Sequence, residues 1–178
     1  MKKILLVRHV QRPAAIAATE VAMRELAQLG ITVVSEDQLE SEVTDAESPE
    51  LVLAMGGDGT ILAAAESARR YDIPLLGINA GHMGFLAEAS PESIPKLMHR
   101  LATSDFEVEK RSTLDVSIKL PGDNTIEDWA LNDAVVKHTD PAHPVHLILV
   151  VDGQDVSTYG ADGMILSTPT GSTAYSFS

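Results

Sequence analysis

In the first part of the chain, short apolar runs alternate with longer helix-favouring stretches. Ile4–Val7 is a compact apolar run of strand character. From Pro13 to Leu29 the signals are helical. Proline suits a first turn, Ala14, Ala15, Ala17 and Ala18 favour helix, and Gly30 stands where the helix should stop. Ile31–Val34 predicts a second strand, Leu51–Met55 a third and Pro74–Ile78 a fourth, with a helix over Thr60–Tyr71 between the last two. Ser90-Pro91-Glu92-Ser93 reads as another helix start, with Ser90 as N-cap and Pro91 at the first helical position. Residues 36–50 hold seven Asp/Glu (36, 37, 40, 42, 45, 47 and 50) and no Lys or Arg, the composition of a solvated loop. Strands and helices in alternation predict a parallel sheet covered by helices.

The pattern changes near Asp105. Leu114, Val116, Ile118 and Leu120 alternate with Asp115, Ser117 and Lys119, a period of two. Pro121 to Asn124 is a turn, and Ile126 to Val136 reads as the returning strand. Val145–Val151 is apolar and β-branched and runs into the hairpin signal Asp152-Gly153, and Met164–Ser167 is another short strand. The expected organisation is an α/β domain over 1–104 and an antiparallel, β-rich domain over 105–178, with the boundary near 104–110.

Composition narrows the function. The 178 residues suffice for one sizeable core or two small ones. Thirteen basic against 26 acidic residues give a formal charge of −13, which speaks against nucleic acid or an anionic membrane as partner. A phosphate ligand would have to be held by backbone N–H groups, metal ions and a few local cations. The lack of cysteine removes disulfides, thiolate zinc sites and cysteine nucleophiles. Lys2-Lys3 followed by an apolar run begins like a signal peptide, but the run ends after four residues at Arg8-His9. No run approaches the length of a membrane span. A reducing, cytoplasmic setting is the expectation.

Candidate chemistry begins where the third strand ends, at Gly56-Gly57-Asp58-Gly59-Thr60. Strand, glycine turn and helix N-terminus together form an anion site, because bare backbone N–H groups and the helix dipole both favour negative charge. The carboxylate of Asp58 inside that loop would repel a phosphate unless a metal ion or a reacting hydroxyl lies between them. That combination suggests phosphoryl transfer. The plainer alternative is a strand-to-helix turn in which Asp58 accepts backbone N–H groups. The dinucleotide fingerprint fails because Leu62 stands where Gly or Ala is required, and the Arg8-His9-Val10-Gln11 stretch after the first strand has no glycine. The P-loop fails because Gly-Lys-Ser/Thr is absent.

A second glycine loop runs from Asn79 to Leu86 and contains His82, a candidate for touching substrate. Asn132-Asp133 interrupts an apolar strand, so one of the two should face a polar site or solvent. Behind Asp162-Gly163, residues 167–173 carry five hydroxyl side chains around one Pro and one Gly, with Tyr175 placed to stack on a ligand. A Ser/Thr-rich loop opening a helix at Ser172 is the alternative. His138, His143 and His146 lack the tight spacing of a zinc site, and no metal-binding residue is expected.

The Gly56 to Thr60 loop, the Asn79 to Leu86 loop, Asn132-Asp133 and Thr168-Pro-Thr-Gly-Ser-Thr-Ala-Tyr175, in this order, resemble the NAD kinase family. The glycine loop alone is shared with diacylglycerol and sphingosine kinases and is similar to a 6-phosphofructokinase motif. The Thr168–Tyr175 segment is far more particular. The resemblance implies an N-terminal α/β domain, a C-terminal antiparallel sandwich-like domain and a cleft site. It implies transfer of the γ-phosphoryl of ATP, or of polyphosphate, to the 2′-hydroxyl of the adenosine ribose of NAD, making NADP, with Mg2+ or another divalent cation accompanying ATP. Asp58 matches the catalytic aspartate, and Gly56, Gly57, Gly59 and Thr60 match the phosphate loop. Phe85 and Leu86 match the adenine side, and Asn132 and Asp133 match the adenine- and ribose-binding pair, where the family often has Asn-Glu. Thr170, Thr173, Ala174, Tyr175 and Ser178 match the NAD pocket. Asp162 matches an aspartate facing the nicotinamide half, often across a subunit contact, so a homo-oligomer (dimer or tetramer) is expected. The family pattern continues past Ser178, so the second domain is expected to be incomplete and the 178-residue chain by itself inactive. A non-catalytic nucleotide-binding module and a lipid kinase of the diacylglycerol kinase type are the alternatives.

Overall fold

The computed structural model describes residues 1–39, 48–79, 86, 91–140 and 142–177. They form two compact units, Met1–Glu109 and Lys110–Ser178.

In the first unit, β1 (Lys3–Arg8), α1 (Pro13–Gln28), β2 (Thr32–Val34), α2 (Glu36–Leu39), β3 (Leu51–Gly56), α3 (Asp58–Tyr71) and β4 (Leu75–Asn79) lead through a 3-10 turn at Pro91–Ser93 into α4 (Ile94–Ala102). The strands make one parallel sheet in the order β2-β1-β3-β4. All six residues of β3 are buried, the mark of a central strand covered on both faces. Its side chains alternate between two cores. Leu51, Leu53 and Met55 join Ile4, Ile78, Ala15, Ala18, Ala22 and Leu26 of α1, and Ile94, Met98 and Leu101 of α4. Val52 and Ala54 join Leu5 and, from α3, Ile61 and Ala64. Helices therefore cover both faces, as the alternation of elements predicts. The buried positions of α1 are mostly alanine, which lets its backbone lie close to the sheet. Thr19, also buried there, donates its hydroxyl to the Ala15 carbonyl at 2.7 Å. Gly30 ends α1 in a left-handed conformation (φ 72°), and Ile31 N–H closes the turn on Leu26 O at 3.0 Å.

Several expectations change in detail. The helix expected from Thr60 begins at Asp58, which places Asp58 and Gly59 in its first turn. The loop expected over 36–50 opens instead as the helical turn α2, because the buried Ser67 of α3 donates its hydroxyl to Glu36. Residues 40–47 of that loop lie outside the described residues, as does Ser90, the expected N-cap; α4 instead follows the turn at Pro91–Ser93.

The second unit is antiparallel throughout. β5 (Leu114–Lys119) pairs with β6 (Thr125–Ala130), β7 (Asp133–Lys137) with β10 (Gly163–Ser167), and β8 (Val145–Val151) with β9 (Gln154–Ala161). Asp152 and Gly153, with φ of 50° and 78°, close the β8–β9 hairpin. The strand expected from Ile126 to Val136 is two strands, because Leu131 and Asn132 leave the ladder between β6 and β7. The segment for which a helix opening at Ser172 is the alternative reading forms a 3-10 turn over Thr170–Thr173. Among the described residues every buried hydrophobic side chain lies between Ile4 and Leu101. The first unit thus holds the apolar core, and the second is organised by its ladders.

Stability should follow that division. Leu53 is fully buried at the centre of β3, and Leu53→Ala is expected to cost about 2–5 kcal/mol. Val108→Ala, at a position 60% exposed, should change stability by less than about 0.5 kcal/mol. Urea denaturation of both variants measures the contrast. Equal losses would contradict the assignment of the core.

Candidate active site

The order β2-β1-β3-β4 reverses direction between β1 and β3. In parallel α/β sheets the crevice at the carboxyl ends of two such strands is where ligands bind. The glycine loop stands at that point. Gly56 ends β3, Gly57 (φ −90°, ψ −175°) is the N-cap of α3, and Asp58 opens the helix. No side chain caps α3. The Thr60 and Ile61 N–H groups both turn back to Gly57 O, at 2.9 and 3.1 Å. The positive end of the α3 dipole therefore faces the crevice.

The glycines of this loop serve different ends. A Cβ on Gly56 would fall 2.3 Å from Thr60 Oγ1, so local packing needs a bare backbone there. Among the described residues Gly59 has no heavy atom within 4 Å of the corresponding point. Packing against those residues does not require glycine at position 59, and a helix favours alanine by about 0.5–1 kcal/mol. An exposed bare backbone beside an anion-favouring helix end is of use to a ligand. Asp58 is half-buried, and its Oδ1 accepts the Leu86 N–H at 3.2 Å. Leu86 is itself buried in the α3-facing core, so the carboxylate is anchored to a residue that cannot easily move. Phe85 and His82 lie outside the described residues.

The second unit brings its two candidate clusters together. Asp133 pairs with Ser167 in the β7–β10 ladder. Just beyond the ladder, Thr168 N–H donates to Asn132 O at 2.8 Å and Thr168 Oγ1 donates to Leu131 O at 2.6 Å. The same hydroxyl accepts the Gly171 N–H at 3.0 Å. Gly171 packs so tightly on this strand break that a Cβ would come within 2.0 Å of Asn132 O. Ser176 Oγ donates to Gly171 O at 3.0 Å, and Ala174 N–H does so at 2.9 Å. Thr170, Gly171, Ser172 and Thr173 are thus wound into one compact turn beside Asn132. Among the described residues the Asn132 Oδ1 atom is buried without a hydrogen-bond partner. A buried acceptor left unpaired costs about 1–3 kcal/mol and calls for a donor from outside the protein. Tyr175 is 58% exposed, with its ring available to a ligand. Ser178 lies outside the described residues.

Asp162 stands apart, between β9 and β10, with an almost fully exposed side chain whose Oδ1 is 3.9 Å from His138 Nε2. His143 bonds Asp140 at 2.9 Å. The Ala142 N–H, and after it His143, hold the Asp140 carboxyl below its ordinary range. That pairing organises a surface turn. Among the described residues no three His, Asp or Glu side chains gather in a metal-holding group, and no helix is long and apolar enough to cross a membrane. Thr168 is the positioning residue that motif spacing alone does not single out. Its signal is a hydroxyl residue directly after an apolar strand and before proline, where a buried side chain must find backbone partners.

Known proteins resemble both parts of the chain. The sequence profile of the ATP-NAD kinase N-terminal domain matches residues 42–106, and that of the ATP-NAD kinase C-terminal domain matches residues 131–178. The chain is 40% identical to NAD kinase 2 of Streptomyces coelicolor over 195 aligned positions, covering 100% of this chain and 64% of that protein. Its structure is similar to that of an NAD kinase from Archaeoglobus fulgidus determined in complex with ATP, with a TM-score of 0.75, 28% identity, and coverage of 99% of this chain and 64% of the other. It also shares its fold with yeast NADH kinase complexed with NADH, with a TM-score of 0.84 at 23% identity, covering 99% of this chain and 60% of the yeast chain. The chain thus spans somewhat less than two thirds of these relatives. None of these matches is to a diacylglycerol kinase.

The two kinds of glycine should separate in a stability measurement. Gly171→Ala is expected to destabilise the fold by about 1–3 kcal/mol through overpacking against Asn132. Gly59→Ala should be neutral or stabilising by up to about 1 kcal/mol, because alanine suits the helix and meets nothing. Urea denaturation monitored by circular dichroism checks both. A stabilised Gly171→Ala protein would contradict the close approach at Asn132.

Proposed function

The chain belongs to the NAD kinase family, and we propose that it provides the catalytic loop and much of the substrate site of an enzyme that phosphorylates NAD to NADP. The observation that carries this reading is a carboxylate, Asp58, held at the mouth of an anion-favouring glycine loop at the sheet's switch point. An acceptor hydroxyl between a carboxylate and a phosphate resolves the repulsion that the loop would otherwise suffer.

In this reading Asp58 takes the proton of the 2′-hydroxyl of the adenosine ribose. The freed oxygen attacks the γ-phosphorus of ATP, the bond to the bridging oxygen breaks, and ADP leaves. Little covalent chemistry falls to the protein, so its work is positioning and charge stabilisation. The Leu86 N–H bond fixes Asp58 on one oxygen. Gly56, Gly57, Gly59 and Thr60 form the loop that holds the phosphates. Asn132 offers its unpaired Oδ1 to an exocyclic amine of the adenine base. Asp133, on the β7–β10 ladder, accepts from ribose hydroxyls, and Thr170, Thr173, Ala174 and Tyr175 line the NAD pocket. Asp162 serves the nicotinamide half. A divalent cation such as Mg2+ enters as part of the ATP complex. One carboxylate in the loop suits a small cation held chiefly by phosphate oxygens, which would there neutralise charge on the transferring group. The same family reading carries a cytoplasmic setting and a homo-oligomer.

Two substitutions test the assignment in the full-length protein. Asp58→Asn keeps the acceptor for Leu86 N–H but loses the base. Its kcat for NADP formation should fall about 10²–10⁴-fold with NAD affinity largely retained. Near-normal turnover would remove Asp58 from the chemistry. Asn132→Ala should raise the NAD dissociation constant about 5- to 150-fold, the equivalent of one lost buried hydrogen bond. Calorimetry showing unchanged affinity would place Asn132 outside the pocket.

A further inference from the structure

The loop after β1 carries a cation, Arg12, that reaches the Gly56–Thr60 loop. His9 N–H donates to Met55 O at 3.0 Å, which carries the β1–β3 pairing one residue beyond Arg8. His9 Nδ1 then accepts two backbone N–H groups, those of Gln11 and Arg12, each at 3.2 Å. This double acceptance folds the segment into a tight turn. Arg12 becomes the N-cap of α1 (φ −84°, ψ 118°), and its carbonyl accepts the Ile16 N–H at 3.0 Å. The backbone of Arg12 is therefore fixed by its neighbours, while its side chain takes no part in capping.

That side chain crosses to the glycine loop. A Cβ on Gly57 would lie 3.2 Å from Arg12 Nη1. The guanidinium thus sits at van der Waals range of the N-cap of α3, on the bare backbone of Gly57. Among the described residues no carboxylate pairs with it. Guanidinium is the side chain that matches phosphate oxygens with two parallel N–H donors.

We propose that Arg12 is a binding residue for the phosphate chain of the phosphoryl donor, gripping it against the backbone of Gly57 and the N-terminus of α3. This rests on reading the Gly56–Thr60 loop as a phosphate site. The guanidinium and the Gly57 backbone would then face the same phosphate chain. The grip is to phosphate alone, so a nucleoside triphosphate and inorganic polyphosphate both satisfy it. The adenosine of ATP is then recognised elsewhere or not at all.

The test measures binding of inorganic tripolyphosphate with Mg2+, and of ATP with Mg2+, to the full-length protein by calorimetry, alongside steady-state NADP formation. Arg12→Gln should weaken tripolyphosphate and ATP about 10- to 100-fold, the loss expected for charge-assisted hydrogen bonds to phosphate. NAD affinity should not change. Arg12→Lys, which keeps the charge and loses the fork, should fall between wild type and Arg12→Gln. Arg24→Gln, at an exposed arginine on α1, controls for net charge and should bind as wild type does. Equal affinities in wild type and Arg12→Gln would overturn the proposal. So would an equal loss in Arg24→Gln, or no tripolyphosphate binding by wild type. A wild-type protein that binds tripolyphosphate through Arg12 but makes no NADP would uphold Arg12 and sink the kinase reading. NADP formation with an unaltered KM for ATP in Arg12→Gln would do the reverse.

Discussion

Burial of β3 on both faces is the constraint on which the rest of the first unit depends. Six consecutive buried residues leave this strand no freedom of register, because a slip by one position would exchange the side chains of two separate cores. Its end is therefore fixed, and with it the position of Gly56. The loop that follows need not be held by its own side chains. Thr60 and Ile61 fold back on Gly57, Asp58 is tethered to the buried Leu86, and the helix end is aimed by Ile61 and Ala64 in the core. The glycine loop is thereby carried on the most deeply buried strand of the sheet.

The second unit reaches local precision by a different route. It has little apolar burial, and its polar cluster is defined by backbone contact. Thr168 bonds Leu131, Asn132 and Gly171 through its backbone N–H and its hydroxyl, and Gly171 presses directly on the Asn132 carbonyl. Replacing side-chain packing with such contacts leaves the hydroxyl and amide groups around the turn available for recognition. Among the described residues, the Oδ1 of Asn132 is left without a partner by this geometry.

Much of this was legible in the residues, and the exceptions have physical causes. The strand and helix alternation, the parallel sheet, the antiparallel second half and the glycine loop all follow from periodicity and punctuation. The start of α3 was misplaced because Gly and Asp are poor helix formers by propensity, yet an N-terminus favours acidic residues and tolerates glycine. The strand break at Leu131-Asn132 is hidden because an apolar leucine before a polar pair looks like continuing alternation, and the contacts that accompany it come from Thr168 and Gly171, far along the chain. The role of Arg12 could not be read from its surroundings. It depends on β1 lying beside β3, which is a fact of topology, and on the His9 ring accepting two amides, which is a fact of side-chain orientation.

The unequal distribution of apolar burial also bears on how the chain opens. Cooperative opening requires groups that lose their contacts together, and the two cores around β3 supply such a block. The antiparallel ladders of the second unit lack one, and their pairs β5–β6 and β8–β9 can separate strand by strand. Amide protons of β3 should therefore exchange with solvent only when the whole first unit unfolds, whereas those of the β8–β9 hairpin exchange through small local excursions. Binding of a ligand to Asn132 and the Thr168–Thr173 turn would then appear as a large gain in protection where the free chain is least protected, with little change at the glycine loop. A ligand of that turn, on this view, is a structural component of the second unit.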